Sequence, residues 1–162
     1  MTFQTSVNTF TATGVPGELA SDAPIRCRPG ITKGTAANIV VGRWFTQDTA
    51  DLAYTPGGAF AEGGLLINPK AYASIGTQAG GPLAPTLTLP AGTPGEFASA
   101  GEFYVILSTA ATVGQPLFYD NTTGILGAGA PSAGQTAIPN SKVTRFNNTA
   151  TGVLACISLS NP

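Results

Sequence analysis

The sequence predicts an all-β fold, and three observations lead to this prediction. Charged residues make up only 9% of the 162 residues, whereas about 25% is usual in soluble proteins. The chain contains 21 Gly and 13 Pro, residues that break helices and favour turns. Its apolar residues form short runs bounded by turn residues, a pattern typical of strands. A chain of this length is expected to form one domain.

The clearest strand signal lies in residues 101–124. Residues 103–107 (FYVIL) form a short run of aromatic and β-branched residues, which predicts a core strand. Residues 116–119 (PLFY) predict a second strand, and residues 120–124 (DNTTG) carry the Asp, Asn and Gly of a tight turn. The pattern predicts a β-hairpin or meander around which the other strands pack.

Further segments are assigned by the same criteria. We predict strands at residues 38–45, 65–67, 142–146 and 152–159, one helical turn at 48–53, and loops at 13–24 and 126–139. Residues 86–89 are predicted to be an edge strand or a crossover, because the surrounding prolines would interrupt a central ladder. Gly42 marks a bulge or a close backbone approach, and Trp44, among apolar neighbours, is predicted to pack in the core.

The amino terminus has a different character from the rest of the chain. Residues 2–10 alternate loosely between polar and apolar residues, which indicates an extended arm or a first strand. We therefore divide the chain into an arm and loop at 1–24, contacting neighbours, and a core domain at 25–162. The start lacks the basic and apolar regions of a signal peptide, and no stretch reaches the roughly 20 apolar residues of a membrane helix. We expect synthesis in the cytoplasm and no membrane partner.

The residue content argues against catalysis. The chain has no histidine, the commonest general base and metal ligand, and no zinc spacing or phosphate-binding glycine motif. We therefore expect no cofactor and no enzymatic activity. Glu96 and Glu102 are close enough in sequence to suggest a carboxylate pair, but we interpret them as solvated loop residues. Cys27 and Cys156 are interpreted as small hydrophobic residues rather than a disulfide, and a net charge of -1 disfavours nucleic acid as a partner.

Seven segments, in order along nearly the whole chain, resemble the capsid cement, or decoration, proteins of tailed bacteriophages. The resemblance is structural in kind, since it consists of strands, turns and their spacing rather than of catalytic residues. The segments are FQTSVNTF, GVPGELAS, VVGRWF, GGLLINPKAYASIGT, PLAPTLTLPAGTPGEF, GEFYVILSTAATVGQPLFYDNTTGIL and LACISLSNP.

The resemblance implies a single jelly-roll-like β-sandwich or barrel, with an extended arm and long Gly/Pro loops. It also implies a homo-oligomer, a homodimer in preference to a homotrimer, that binds the outer surface of an assembled shell of major capsid protein. There it would bridge neighbouring subunits non-covalently, as a structural component of the virion. An alternative function is a carbohydrate- or receptor-binding jelly roll on the virion surface, which aromatic residues clustered on an exposed face would favour.

Extended arms and loops suit such contacts, because an arm can add a strand to a neighbour's sheet edge or lie along its surface. Arg26, Arg28 and Lys33 can form ion pairs with acidic groups of the capsid. An equally good interpretation is that they are ordinary surface residues in contact with solvent. Since Asp120 is the only charged residue between Glu102 and Lys142, we expect that half to pack inward or against sister subunits and the amino-terminal half to face the shell. The candidate contact residues are Phe3, Gln4, Val7, Phe10, Val15, Pro16, Glu18, Leu19, Arg26, Arg28 and Lys33.

Overall fold

The computed structural model describes residues 14–59, 62–69, 87–145 and 150–160. In these ranges the regular structure consists of ten strands and one short 3-10 helix at Ala36–Asn38, which confirms the all-β prediction. The strands are β1 (Arg26–Ile31), β2 (Trp44–Gln47), β3 (Tyr54–Pro56), β4 (Gly63–Leu66), β5 (Pro94–Leu107), β6 (Leu117–Asp120), β7 (Leu126–Ala128), β8 (Gln135–Ile138), β9 (Ser141–Arg145) and β10 (Val153–Ser160).

The 14-residue strand β5 organises the fold. Its first half pairs antiparallel with β1, and its second half pairs antiparallel with β10, which in turn pairs with β9. β4 and β7 also pair with β5, and the main path through the sheet is β3-β2-β4-β5-β7-β6-β8. Gly101 lies between the two halves with φ 131°, a conformation that favours glycine. The result is one large mixed sheet, consistent with the predicted jelly-roll-like β-sandwich.

The prediction that residues 101–124 form a β-hairpin or meander was correct for the strands and wrong for their pairing. β5 does not pair with β6, because β7 lies between them, parallel to β5 at Leu107–Leu126 and antiparallel to β6. The predicted turn instead joins β6 to β7. There Asp120 Oδ1 accepts hydrogen bonds from the backbone N–H groups of Thr122 (3.0 Å) and Thr123 (2.8 Å) and from the Thr123 hydroxyl (2.7 Å).

The sequence predicts one strand at residues 38–45, and this prediction was wrong. This segment consists of the end of the 3-10 helix, a single bridge from Val40 to Thr88, a turn, and the start of β2. Gly42 has φ 86°, and a Cβ atom there would lie 2.9 Å from Cβ of Pro16. The glycine therefore marks a close backbone approach, one of the two predicted possibilities, and the positive φ ends the run before β2 begins.

The other strand predictions gave mixed results. β4, β9 and β10 confirm the strands predicted near residues 65–67, 142–146 and 152–159. The long loop predicted at 126–139 was wrong, because β7 and β8 both lie within it. Within residues 87–89, the described part of this segment, Thr88 forms an isolated bridge to Val40, as an edge or crossover segment would. In the segment at 48–53, one backbone turn closes through a hydrogen bond from Leu52 N–H to Asp48 C=O at 3.0 Å.

The buried side chains form two clusters. Trp44 is 3% exposed and stacks on Tyr119 with ring centroids 5.8 Å apart, which confirms its predicted core position. Cys156 is buried and Cys27 is half-buried against the larger cluster, and both are free thiols. The larger cluster contains Trp44, Leu65, Ile67, Ala98, Phe103, Val105, Leu107, Ala111, Leu117, Tyr119, Leu126, Ala128, Ile138, Val143, Ala155, Ile157 and Leu159. The smaller cluster contains Ile39, Val41, Phe45, Tyr54, Leu66, Leu89 and Phe97.

Candidate functional site

The segment that carries four of the predicted contact residues, residues 14–20, is held firmly against β5. Gly17 N–H donates to the Tyr104 carbonyl (2.7 Å), Tyr104 N–H donates to the Glu18 carbonyl (2.9 Å), and Ala20 N–H donates to the Glu102 carbonyl (2.9 Å). Leu19 and Phe103 form an isolated antiparallel bridge. This segment, predicted as a surface loop, therefore has the fixed backbone of a short extra strand.

Some side chains of this segment are exposed to solvent. Val15 is 39% exposed and Leu19 is 38% exposed. The backbone N–H of Val15 donates to Glu18 Oε2 at 3.2 Å, which closes the turn between them. Val15, Pro16, Glu18 and Leu19 thus share one fixed backbone, from which they present apolar side chains and one carboxylate. The predicted contact residues Phe3, Gln4, Val7 and Phe10 lie outside the described residues.

An apolar groove of about 570 Å³ begins at Val15 and Pro16. Ile106, on the second half of β5, is 47% exposed at this groove, and Val41 and Leu126 are buried beneath it. The groove was not predicted from sequence, because its walls come from five separate segments of the chain. Its lining residues are Val15, Pro16, Ala37, Val40, Val41, Gly42, Arg43, Leu87, Thr88, Ile106, Ile125 and Leu126.

Among the described residues, Arg43 is the only charged side chain that lines the groove. Arg43 is half-buried, and its Nη1 donates hydrogen bonds to the Thr123 carbonyl (3.4 Å) and to Asn38 Oδ1 (3.5 Å). Burial lowers the pKa of the Arg43 guanidinium from its usual value, although arginine remains charged at neutral pH. The groove therefore offers an apolar surface whose single charge already has partners within the chain.

A second, smaller pocket of about 300 Å³ is lined in part by Gly17, Glu18 and Leu19 of the 14–20 segment. Leu19, Ile25 and Phe103 supply apolar surface, and Glu18 and Glu96 supply carboxylates at its rim. Ile25 is 51% exposed. Leu19 therefore belongs to a second exposed apolar region, which is separate from the groove at Val15.

The three basic candidate residues lie in different surroundings. Arg26 and Arg28 both lie exposed on β1, where alternate residues share a face, and Arg28 forms an ion pair with Glu62. Lys33 Nζ lies 2.6 Å from Asp51 Oδ2, and this hydrogen bond raises the pKa of the lysine. Arg28 and Lys33 are thus paired within the chain, which supports their interpretation as ordinary surface residues.

The two carboxylates considered for catalysis have different partners. Glu96 Oε2 accepts a hydrogen bond from the Asn68 amide at 3.3 Å, and Glu102 Oε2 lies 3.5 Å from Nη2 of Arg145. They occupy the two halves of β5, on either side of Gly101. Among the described residues there is no group of three or more His, Cys, Asp or Glu residues that could hold a metal ion. In the same ranges, no helix is long and apolar enough to cross a bilayer.

Aromatic side chains are mostly buried in the described part of the chain. Of the eight aromatic residues there, seven are buried and Tyr104 is half-buried. An exposed aromatic cluster, the feature that would favour glycan binding, is thus not found within residues 14–59, 62–69, 87–145 and 150–160. The exposed apolar surface is aliphatic instead, and its accessible residues include Val15, Leu19, Ile25 and Ile106.

The described residues form an all-β domain that presents exposed aliphatic side chains on a firmly held backbone. The comparisons with known proteins give the family. The sequence model of the family described as structural cement protein (E217 gp24/Pam3 gp6) matches residues 3–160. The chain therefore belongs to this family of phage cement proteins and is a structural, capsid-associated protein of the virion.

A solved structure shares the fold. A chain from "The capsid of Myoviridae Phage XM1" superposes with a TM-score of 0.67 at 14% sequence identity, covering 98% of this chain and 97% of that chain. At this identity the similarity is one of fold, since few side chains are shared. Among curated protein sequences, none matches the chain.

Proposed function

We propose that this protein cements a phage capsid by binding the outer surface of the assembled major-capsid-protein shell and bridging neighbouring subunits non-covalently. The observation that carries the proposal is the match to the structural cement family over residues 3–160. In this proposal the protein is made in the host cytoplasm and acts as a homo-oligomer, preferentially a dimer. Residues 1–24 contact neighbours, and residues 25–162 form the supporting domain.

The contact surfaces described above support this function. Val15 and Leu19 project from a backbone that three hydrogen bonds hold to β5, so little conformational entropy is lost when they are covered. Because each copy contacts more than one capsid subunit, the second contact forms at a high effective concentration. Individually modest aliphatic contacts are then sufficient for stable decoration of the shell.

The polar groups contribute less in this proposal. Arg28 and Lys33 are already paired with Glu62 and Asp51, and an exposed ion pair gains little when it is exchanged for another. Arg26, exposed at the start of β1, remains the best candidate for pairing with an acidic capsid group. We therefore expect decoration to depend more on Val15 and Leu19 than on salt concentration.

A direct test uses purified protein and undecorated expanded capsids. Co-sedimentation measures binding, and heating or low salt measures the stability of the shell. We expect decorated shells to withstand disruption better than bare ones. Unchanged shell stability with no co-sedimentation would contradict the proposal.

A pair of leucine variants identifies the surface that binds. Leu19→Asp places a charge in the proposed contact, and we expect binding to weaken about tenfold or more, equivalent to about 1.4 kcal/mol. Leu52→Asp is the matched control, because Leu52 is 65% exposed and lies outside the proposed contact. Its φ of 58° is also well tolerated by Asp. Equal binding by the two variants would show that Leu19 is not part of the contact.

A further inference from the structure

We propose that the apolar groove at Val15, Pro16 and Ile106 is the docking site for the amino-terminal arm, residues 1–13, of a second copy of this chain. The inference deepens the self-association included in the proposed function and rests on that part of it. It assigns a receptor surface on one copy and a ligand segment on the other. In a two-fold symmetric pair, each copy would supply both.

The groove suits an uncharged apolar segment. It has a volume of about 570 Å³, and aliphatic side chains supply most of its lining. Ile106 and Val15 are 47% and 39% exposed there in the isolated chain. Arg43 already has its hydrogen bonds to Asn38 and the Thr123 carbonyl, so it does not require an anionic ligand. Covering this surface removes apolar area from water without burying an unpaired charge.

The arm has the complementary chemistry. Residues 1–13, MTFQTSVNTFTAT, contain no charged side chain and carry three large apolar residues, Phe3, Val7 and Phe10. Fully extended, thirteen residues span up to about 45 Å, which is enough to reach a neighbouring copy. A segment of this composition enters an apolar groove without the cost of desolvating a charged side chain.

The position of Gly14 favours a second copy over the same chain. Val15 lines the groove, but a Cβ atom on the preceding Gly14 would overlap the ring of Tyr104. Tyr104 does not line the groove, and its partner across the sheet is Cys156 on β10. Gly14, which lies against this ring, does not line the groove either, so the chain is already outside the groove at that residue. The position of Gly14 outside the groove therefore favours the arm of a partner copy as the ligand.

The first test measures self-association of the full-length protein by sedimentation velocity. Ile106→Arg blocks the groove, and the triple variant Phe3→Ser, Val7→Ser, Phe10→Ser removes the apolar groups of the arm. We expect each to raise the dissociation constant at least about tenfold. Val113→Arg is the control, because Val113 is 50% exposed and does not line the groove, and it should associate like the wild type.

A mixing experiment distinguishes exchange between copies from packing within one copy. The groove variant retains a normal arm, and the arm variant retains a normal groove, so their mixture can re-form one arm-to-groove link. We expect mixed dimers to form where each variant alone is monomeric. Failure of the mixture to associate overturns the inference, as does a monomeric wild type or unchanged association of either variant.

Two controls keep the result interpretable. Circular dichroism and thermal melts establish that the variants are folded, and if Ile106→Arg is not, Ala37→Arg at the exposed rim of the groove replaces it. Capsid co-sedimentation of the same variants separates the two proposals. If the groove and arm variants self-associate normally, the arm-to-groove contact is wrong. If the same variants still decorate capsids, the cement function is unaffected by that result.

Discussion

The two core clusters of this domain are enclosed in different ways. The larger cluster is built mainly on β5 and β10 and their neighbours; an uninterrupted antiparallel ladder joins β5 to β10, and β10 pairs with β9 with one register shift. Three of the seven residues of the smaller cluster, Ile39, Val41 and Leu89, lie on irregular backbone. Val41 N–H donates to the Leu87 carbonyl at 3.1 Å, and Leu89 N–H donates to the Ile39 carbonyl at 2.8 Å, across a single bridge rather than a ladder.

This difference in backbone structure suits one cluster to stabilising the fold and the other to shaping a binding surface. Ladders leave little room for concave surfaces, because neighbouring strands lie about 4.8 Å apart and their side chains interdigitate. Irregular backbone can diverge and leave a groove, and the groove described above does border the smaller cluster at Val41 and Leu87. We therefore infer that the larger cluster provides most of the stability and that the smaller cluster shapes the contact surface.

The largest expected effect is on global stability. Phe103→Ala removes a fully buried ring from the larger cluster and should lower the free energy of unfolding by about 3–5 kcal/mol. Leu89→Ala, equally buried in the smaller cluster, should cost about 2–3 kcal/mol, near the low end of such truncations, because the irregular backbone there can collapse around it. Guanidinium denaturation measures both. A Leu89→Ala cost equal to that of Phe103→Ala would remove the distinction between the clusters.

An intermediate effect is expected where the groove meets the 14–20 segment. Gly42→Ala would be strained by its φ of 86° and would bring a Cβ atom within 2.9 Å of Pro16. We expect a stability loss of about 1–3 kcal/mol together with weaker self-association, since the groove wall must move.

The control for this variant is Gly92→Ala. Gly92 has a similar φ of 83°, but nothing lies within 4 Å of its added Cβ, so this variant carries the conformational cost alone. The two variants would then differ in self-association as well as in stability. If both leave self-association unchanged, the position of Pro16 does not determine the shape of the groove.

The smallest effect is expected at the turn of residues 120–124, between β6 and β7. Trp44 N–H donates to the Gly124 carbonyl at 2.8 Å, and Gly58 N–H donates to the Asn121 carbonyl at 2.7 Å. Within this turn, hydrogen bonds from Thr123 and Thr122 hold the pKa of Asp120 below its usual value. Asp120→Asn weakens these bonds, and because the half-buried Asp120 still contacts solvent, the cost at pH 7 should be below about 1 kcal/mol.

The pH dependence identifies the Asp120 carboxylate as the cause. A lowered pKa in the folded state means that the stabilisation is fully present above the unfolded pKa of about 3.9 and is lost as pH falls through the lower folded value. The difference in melting temperature between wild type and Asp120→Asn should therefore shrink below about pH 4. Asp22→Asn, at an exposed position, is the control, and a difference that persists in acid would contradict the assignment.

Local signals predicted much of the fold, and non-local contacts decided the rest. The strand at residues 103–107, the turn at 120–124 and the burial of Trp44 were all predicted, because each depends on short-range composition. The strand Leu126–Ala128 was missed, because the glycine-rich sequence around it has no strand pattern and the segment is ordered by pairing with β5 and β6. The run at 38–45 was assigned as one strand because sequence pattern does not reveal how close Pro16 comes to Gly42.

The candidate site shows the same division. Sequence reasoning selected Val15, Pro16, Glu18 and Leu19, which the structure places on a fixed segment beside β5. It selected Arg28 and Lys33 without their partners, because Glu62 and Asp51 are distant in sequence. Val40, Leu87 and Ile106 were not selected, since a groove formed by separate segments leaves no contiguous pattern. The orientation of the two halves towards shell and sister copies remains a prediction.

By itself the sequence determined that this protein is an all-β domain, because scarce charges, abundant turn residues and short apolar runs are incompatible with long helices. The order of its segments also identified the cement family. Only the tertiary structure decided that β7, and not β6, lies beside β5, and that an apolar groove opens between Val15 and Ile106. The physical reason is that strand pairing and concave surfaces arise from backbone hydrogen bonds and packing between residues far apart in the chain.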